Sequence, residues 1–123
     1  MNPIDLKPTN TTPAIVLHDD KLLIKGRSIP LSEAKFYDPY IEWAKDCKYN
    51  HLYVDINLEY MNSSSSKKLL FLLKTLDGNP AIRDLTITWY FESGDDELKD
   101  QGRLFEKLMK HAHFRYVKYG DNS

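Results

Sequence analysis

The alternation from His51 to Glu59 limits the fold more than any other stretch. Leu52, Val54, Ile56 and Leu58 point one way; Tyr53, Asp55, Asn57 and Glu59 point the other. A period of two over nine residues predicts a strand with one face in a core and one face polar. The same pattern returns from Leu85 to Phe91, where Leu85, Ile87, Trp89 and Phe91 alternate with Thr86, Thr88 and Tyr90. Between these runs, Leu69, Leu72, Leu73 and Leu76 recur at three-and-four spacing, the stripe of a helix with one buried side. Strand, helix and strand in this order imply parallel pairing through a right-handed crossover. Strict alternation also predicts helices chiefly on one sheet face, because strands covered on both faces read as nearly continuous apolar runs. The open face would carry Tyr53, Asp55, Asn57, Thr86, Thr88 and Tyr90, as solvated surface or as a docking surface.

Around this unit the chain reads β-β-α-β-α-β-α-β. Met1 to Pro13 is expected to be an irregular leader. Ala14–Leu17 and Leu22–Ile24 flank His18-Asp19-Asp20-Lys21 as a hairpin, and Gly26 to Pro30 reads as a loop. Ser32 suits a turn. Asp38-Pro39 suits a helix start, with Asp38 as cap, and Tyr37, Tyr40, Ile41, Ala44 and Cys47 share a face with Trp43 beside it. Gly78 suits a left-handed helix end. Ser93 or Asp95 can cap a third helix running to about Lys110, with Leu98, Phe105, Leu108 and Ala112 near one face, and Arg115–Tyr119 reads as a last strand. The 123 residues fit one domain spanning 1–123.

The totals exclude several function classes. Lys+Arg number 17 and Asp+Glu 18, so no global basic field favours nucleic acid. Cys47 is the single cysteine, which rules out an internal disulfide and fits a reducing compartment. No apolar run approaches the ~18 residues of a membrane span, and no signal peptide is evident. A cytoplasmic protein without membrane insertion is expected.

Catalytic and metal motifs are weak. The five glycines are isolated, so no phosphate loop is present. His111 and His113 lack a third ligand at useful spacing. Glu92, Asp95, Asp96 and Glu97 could hold a cation or act as paired carboxylates, but acidic residues are favoured at a helix start in any case. Cys47 falls on the apolar helix face as a buried thiol. No cofactor, metal or catalytic residue is expected.

Ser63-Ser64-Ser65-Ser66, following Glu59-Tyr60-Met61-Asn62 at the strand-to-helix junction, is the most unusual stretch. One of these Asn and Ser residues should cap the helix. The run is either capping and solvation throughout, or it holds a phosphoacceptor. A phosphate there would meet free backbone N–H groups and the positive end of the helix dipole. A serine nucleophile would need a base, and His51 lies at the far end of the preceding strand.

Several segments together resemble the SiaC family of bacterial regulatory phosphoproteins. They are Thr12-Pro13-Ala14-Ile15, Gly26-Arg27-Ser28 with Pro30, and Phe36-Tyr37-x-Pro39 with Trp43. They also include Glu59-Tyr60-Met61-Asn62-Ser63-Ser64-Ser65 with Lys67, and Trp89-Tyr90-Phe91-Glu92 followed by Asp95-Asp96. The resemblance covers nearly the whole chain. It implies an α/β fold, a STAS-like mixed β-sheet of about five strands with helices mainly on one face. The implied strand order is 2-1-3-4-5, with the second strand antiparallel. It further implies a non-enzymatic switch protein, phosphorylated by a cognate Ser/Thr protein kinase and reset by a PP2C-type phosphatase. Its unphosphorylated form would bind a signalling effector, plausibly activating a diguanylate cyclase in c-di-GMP signalling. The implied phosphoacceptor is the hydroxyl after the motif asparagine, Ser63, with Ser64 and Ser65 as alternatives. The family pattern has Thr at this position; Ser preserves the hydroxyl. The implied partner-binding residues are Tyr60, Asn62, Ser64, Ser65, Lys67, Tyr90, Glu92, Asp95 and Asp96. Two rival readings are a constitutive protein-interaction adaptor and a small enzyme using the acidic turn.

Overall fold

The computed structural model describes residues 4–29 and 33–120. The turn expected at Ser32, the loop proline Pro30 and the first three residues lie outside the described residues. Six strands form one sheet: β1 (Asp5–Leu6), β2 (Ala14–His18), β3 (Lys21–Ser28), β4 (Tyr49–Met61), β5 (Ile82–Glu92) and β6 (His113–Tyr119). The helices are α1 (Glu33–Phe36), α2 (Asp38–Asp46), α3 (Ser63–Asp77) and α4 (Asp96–Lys107).

The strands lie in chain order, β1-β2-β3-β4-β5-β6. β1, β2 and β3 pair antiparallel; β3, β4, β5 and β6 pair parallel. This corrects the 2-1-3-4-5 order. Ala14–His18, not the following strand, runs antiparallel to the rest, and Lys21–Ser28 takes the place beside β4. The chain leaves β3 through α1 and α2 directly into its neighbour β4, so no strand is skipped. The same register lines Leu22 up with Val54 and Ile24 with Ile56 across the core face.

All helices cover one face, as the alternation requires. Leu52, Val54, Ile56, Leu58, Ile87 and Trp89 join Leu69, Leu72, Leu73 and Leu76 in a single buried cluster. The opposite face carries His51 stacked on Tyr53, with ring centroids 4.1 Å apart, and His51 Nε2 within 2.9 Å of Thr86 Oγ1.

Several local expectations shift. Asp5–Leu6 forms a sixth strand where an irregular leader was expected. β3 continues through the expected loop to Ser28, because Gly26, at φ 128°, absorbs a bulge that a side chain would resist. In α2 the capping position is Tyr37 and Asp38 is already helical. The Tyr37 hydroxyl lies 2.6 Å from Ser28 Oγ in the core, and burial pushes its pKa up to about 12. Gly78 ends α3 at φ −89°, a right-handed conformation, and Asp77 takes over the job of anchoring that end. Its carboxylate accepts the backbone N–H groups of Lys110, His111 and Ala112. Leu108, expected near the inner face, is 43% exposed, and α4 ends at Lys107, short of the expected Lys110.

Candidate phosphorylation and partner site

The C-terminal ends of β3, β4 and β5 and the N-terminal ends of α3 and α4 meet at one edge of the sheet. Ser28 pairs with Met61 at the end of β4, and the Asn62 N–H donates to the Ser28 carbonyl at 3.2 Å. Asn62 is extended (φ −81°, ψ 173°), and its Oδ1 accepts the Ser65 N–H at 2.9 Å. The asparagine therefore serves as the cap and leaves the serine hydroxyls free of that task.

The four serines have different surroundings. Ser63 and Ser64 are exposed on the first turn. Ser65 is fully buried, and its Oγ has no hydrogen-bond partner among the described residues. The helix rotates by about 100° per residue, so the third serine turns under the helix toward the sheet. This removes Ser65 from the exposed surface on which both an alternative phosphoacceptor and a partner contact would have to lie. Ser66 Oγ accepts from Gln101 Nε2 on α4 and ties the two helices together.

The second half of the edge is acidic. Asp95 caps α4, its Oδ1 accepting the Leu98 N–H at 3.1 Å, and Asp96 and Glu97 occupy the first turn. A cleft of about 110 Å³ separates Glu59, Tyr60 and Met61 from Asp95, Leu98 and Gln101. Tyr60 is 54% exposed beside it. Burial raises the Tyr119 pKa, and Glu92, Glu59 and Asp95 add to the rise, which marks one shared negative field.

A SiaC family regulatory phosphoprotein profile matches residues 6–119. The chain belongs to the SiaC family. A comparison with curated proteins finds no match. Among solved structures, SiaC of Pseudomonas aeruginosa is 22% identical, with 97% of this chain and 100% of that one covered at a TM-score of 0.79. Apo-SiaC from the same organism is 21% identical, covering 95% and 99% at a TM-score of 0.77. The structure of diguanylate cyclase SiaD in complex with its activator SiaC, also from Pseudomonas aeruginosa, matches at 20% identity, 94% and 98% coverage and a TM-score of 0.77. At these identities the likeness establishes a shared SiaC fold.

In this SiaC-family chain the edge gathers Tyr60, Asn62, Ser63, Ser64, Glu92, Asp95 and Asp96. Lys67 is exposed one turn along α3. Tyr90 lies two residues before Glu92 on the helix-free face of β5, where it pairs with Asn57 and Val117. Gln101 escaped the sequence reading, since nothing local marks a glutamine 35 residues from its serine partner. His51 sits at the opposite end of β4 from Ser63, which excludes it as a base for that hydroxyl. Among the described residues, no group of three His, Cys, Asp or Glu side chains is arranged to hold a metal ion, and no helix is long and apolar enough to cross a membrane.

Proposed function

We propose that this chain is a non-enzymatic switch protein. With Ser63 unmodified it binds and activates a diguanylate cyclase. A cognate Ser/Thr protein kinase phosphorylates Ser63 and turns it off, and a PP2C-type phosphatase restores it. The observation that carries this reading is the exposed hydroxyl of Ser63 at the first position of a long helix capped by its neighbour Asn62. It is supported by membership of a family of regulatory phosphoproteins and by the fold shared with SiaC, the activator of SiaD in Pseudomonas aeruginosa.

The chemistry follows from charge and rigidity. Leu69, Leu72, Leu73 and Leu76 hold α3 against the sheet, so a phosphate changes the surface without unfolding the domain. It brings about −1.5 to −2 charges to an edge that already carries Glu59, Glu92 and Asp95. The helix start tolerates that charge; a partner packed there does not. A loss of about 3 kcal/mol weakens binding more than a hundredfold.

The test is cyclase binding and cyclic dinucleotide production, with and without kinase and ATP, for wild type and Ser63→Ala. Ser63→Ala should keep the fold and activate the cyclase, but kinase treatment should no longer release it. Ser63→Asp should turn it off only in part, having less charge and fewer acceptor oxygens than phosphate. Release from Ser63→Ala on kinase treatment would move the acceptor to Ser64, which is also exposed. A wild type that holds the cyclase and takes up no phosphate would make the chain a constitutive adaptor.

A further inference from the structure

The outer face of α3 has a composition that neither the fold nor the phosphoacceptor explains. Phe71 lies among Leu69, Leu72 and Leu73, all fully buried, yet it is 56% exposed. Lys67, one turn before it, and Lys74, one turn after it, are exposed on the same side. Neither lysine enters an ion pair among the described residues, whereas Lys68 is held by Asp38 at 3.1 Å. Asp77, the acidic residue next along the helix, is occupied with three backbone N–H groups. The stripe therefore offers one aromatic side chain between two available cations, and Ser63 stands four residues before Lys67 at its head. Exposed aromatics framed by charge are the type of residue that dominates binding at interfaces.

We propose that this stripe of α3 is the docking surface for an acidic partner segment, which seats an apolar side chain against Phe71 and carboxylates against Lys67 and Lys74. The inference rests on the switch reading and supplies its electrostatic logic. The unmodified stripe carries two positive charges. A phosphate on Ser63, one helical turn from Lys67, brings about −1.5 to −2 charges and nearly cancels them. An acidic partner then loses its attraction and meets repulsion. A basic partner would be tightened by the same modification, which is the opposite sign for a switch that releases on phosphorylation. A second copy docked through a two-fold axis would set Lys67 and Lys74 against their own counterparts.

The experiment is titration of purified diguanylate cyclase with the full chain at about 0.05 M and about 0.3 M salt. It compares wild type, Phe71→Ala, the double variant Lys67→Glu/Lys74→Glu, and Lys107→Glu on α4 as a control charge reversal. Thermal midpoints and solution masses are measured in parallel. Wild-type affinity should fall at the higher salt. Phe71→Ala should bind at least about tenfold more weakly with its fold intact. The double reversal should do likewise and invert the salt dependence, since higher salt then screens repulsion, and Lys107→Glu should match wild type. Cyclase binding that is salt-independent, or unchanged in Phe71→Ala and the double variant, would overturn this proposal while leaving the switch standing. So would a wild-type dimer that Phe71→Ala dissociates, which would assign the stripe to a second copy. A wild type that binds no cyclase would sink both readings.

Discussion

Gly102→Ala should destabilise this protein even though alanine is the better helix former. Gly102 lies in α4 directly over the Trp89 ring. A Cβ built there would stand 2.8 Å from Cγ, Cδ1 and Nε1 of that ring. The ring cannot swing away. It is fully buried, its Nε1–H donates to the Leu98 carbonyl at 2.9 Å, and Phe105 packs edge-on with centroids 5.2 Å apart. The helix must lift instead, by several tenths of an ångström. Overpacking of this kind costs about 1–3 kcal/mol, offset by the roughly 1 kcal/mol that alanine gains over glycine in a helix. With the ring locked, the cost falls in the upper part of that range, about 2–3 kcal/mol, and the net loss is about 1–2 kcal/mol. With about 2.1 cal/mol/K of unfolding entropy per residue, each kcal/mol lowers the midpoint of this chain by about 4 °C. Thermal unfolding followed by circular dichroism should show a midpoint lower by about 4–8 °C. With Trp43 replaced by Phe in both proteins, Trp89 fluorescence should report a loosened environment. An unchanged or higher midpoint would refute the close-packing argument and leave helix propensity in control. Because α4 also carries Asp95 and Gln101, the lift should weaken partner binding as well.

The caps should show themselves in stability: Asn62→Ala and Asp95→Ala should each cost about 1 kcal/mol in denaturant titration. Cys47 is 8% exposed, and burial pushes its thiol up to about 11. Alkylation at neutral pH should therefore be slower in the native protein than in denaturant by more than about 100-fold. Burial also raises the Asp55 carboxyl above its ordinary value by more than Lys21 and Arg115 lower it. An acid raised on folding binds its proton more tightly in the native state. Asp55 therefore detracts from stability as pH rises through the window between its unfolded and folded values, and imposes no such penalty below it. Asp55→Asn should be at least as stable as wild type at neutral pH, with the difference shrinking as pH falls below the carboxylate range; a clear loss at neutral pH would reverse the assignment.

The parts of the fold that were legible share one property: their signal is local and periodic. The alternation of His51–Glu59 and Leu85–Phe91 marked β4 and β5, and the leucine spacing marked α3, because side-chain direction follows directly from backbone geometry. The two helix starts beside the candidate site were legible from their capping residues, Asn62 before α3 and Asp95 before α4. The strand order was not. A hairpin of two short apolar strands can dock on β4 by either member, and only the crossover into β4 and the register of Leu22 and Ile24 decide between them. Nor could composition or spacing tell the surroundings of four consecutive serines apart. Helix rotation separates exposed Ser63 and Ser64 from buried Ser65, and the position of α4 decides that Ser66 meets Gln101.

By itself, then, the chain's sequence determined which of the longer periodic segments are strands and helices, that the helices would cover one sheet face, and which family the chain resembles. Periodicity and motif survive without any knowledge of neighbours. Tertiary structure decided everything that depends on distance between remote segments. It brought the acidic start of α4 across a cleft from the end of β4 and made Asp77 the clamp on the turn before β6. It also left Phe71 facing outward between two lysines while Leu69, Leu72 and Leu73 were taken into the core. The leucine stripe states which side of the helix the sheet covers; only the packed structure sets whether another element covers the side that is left.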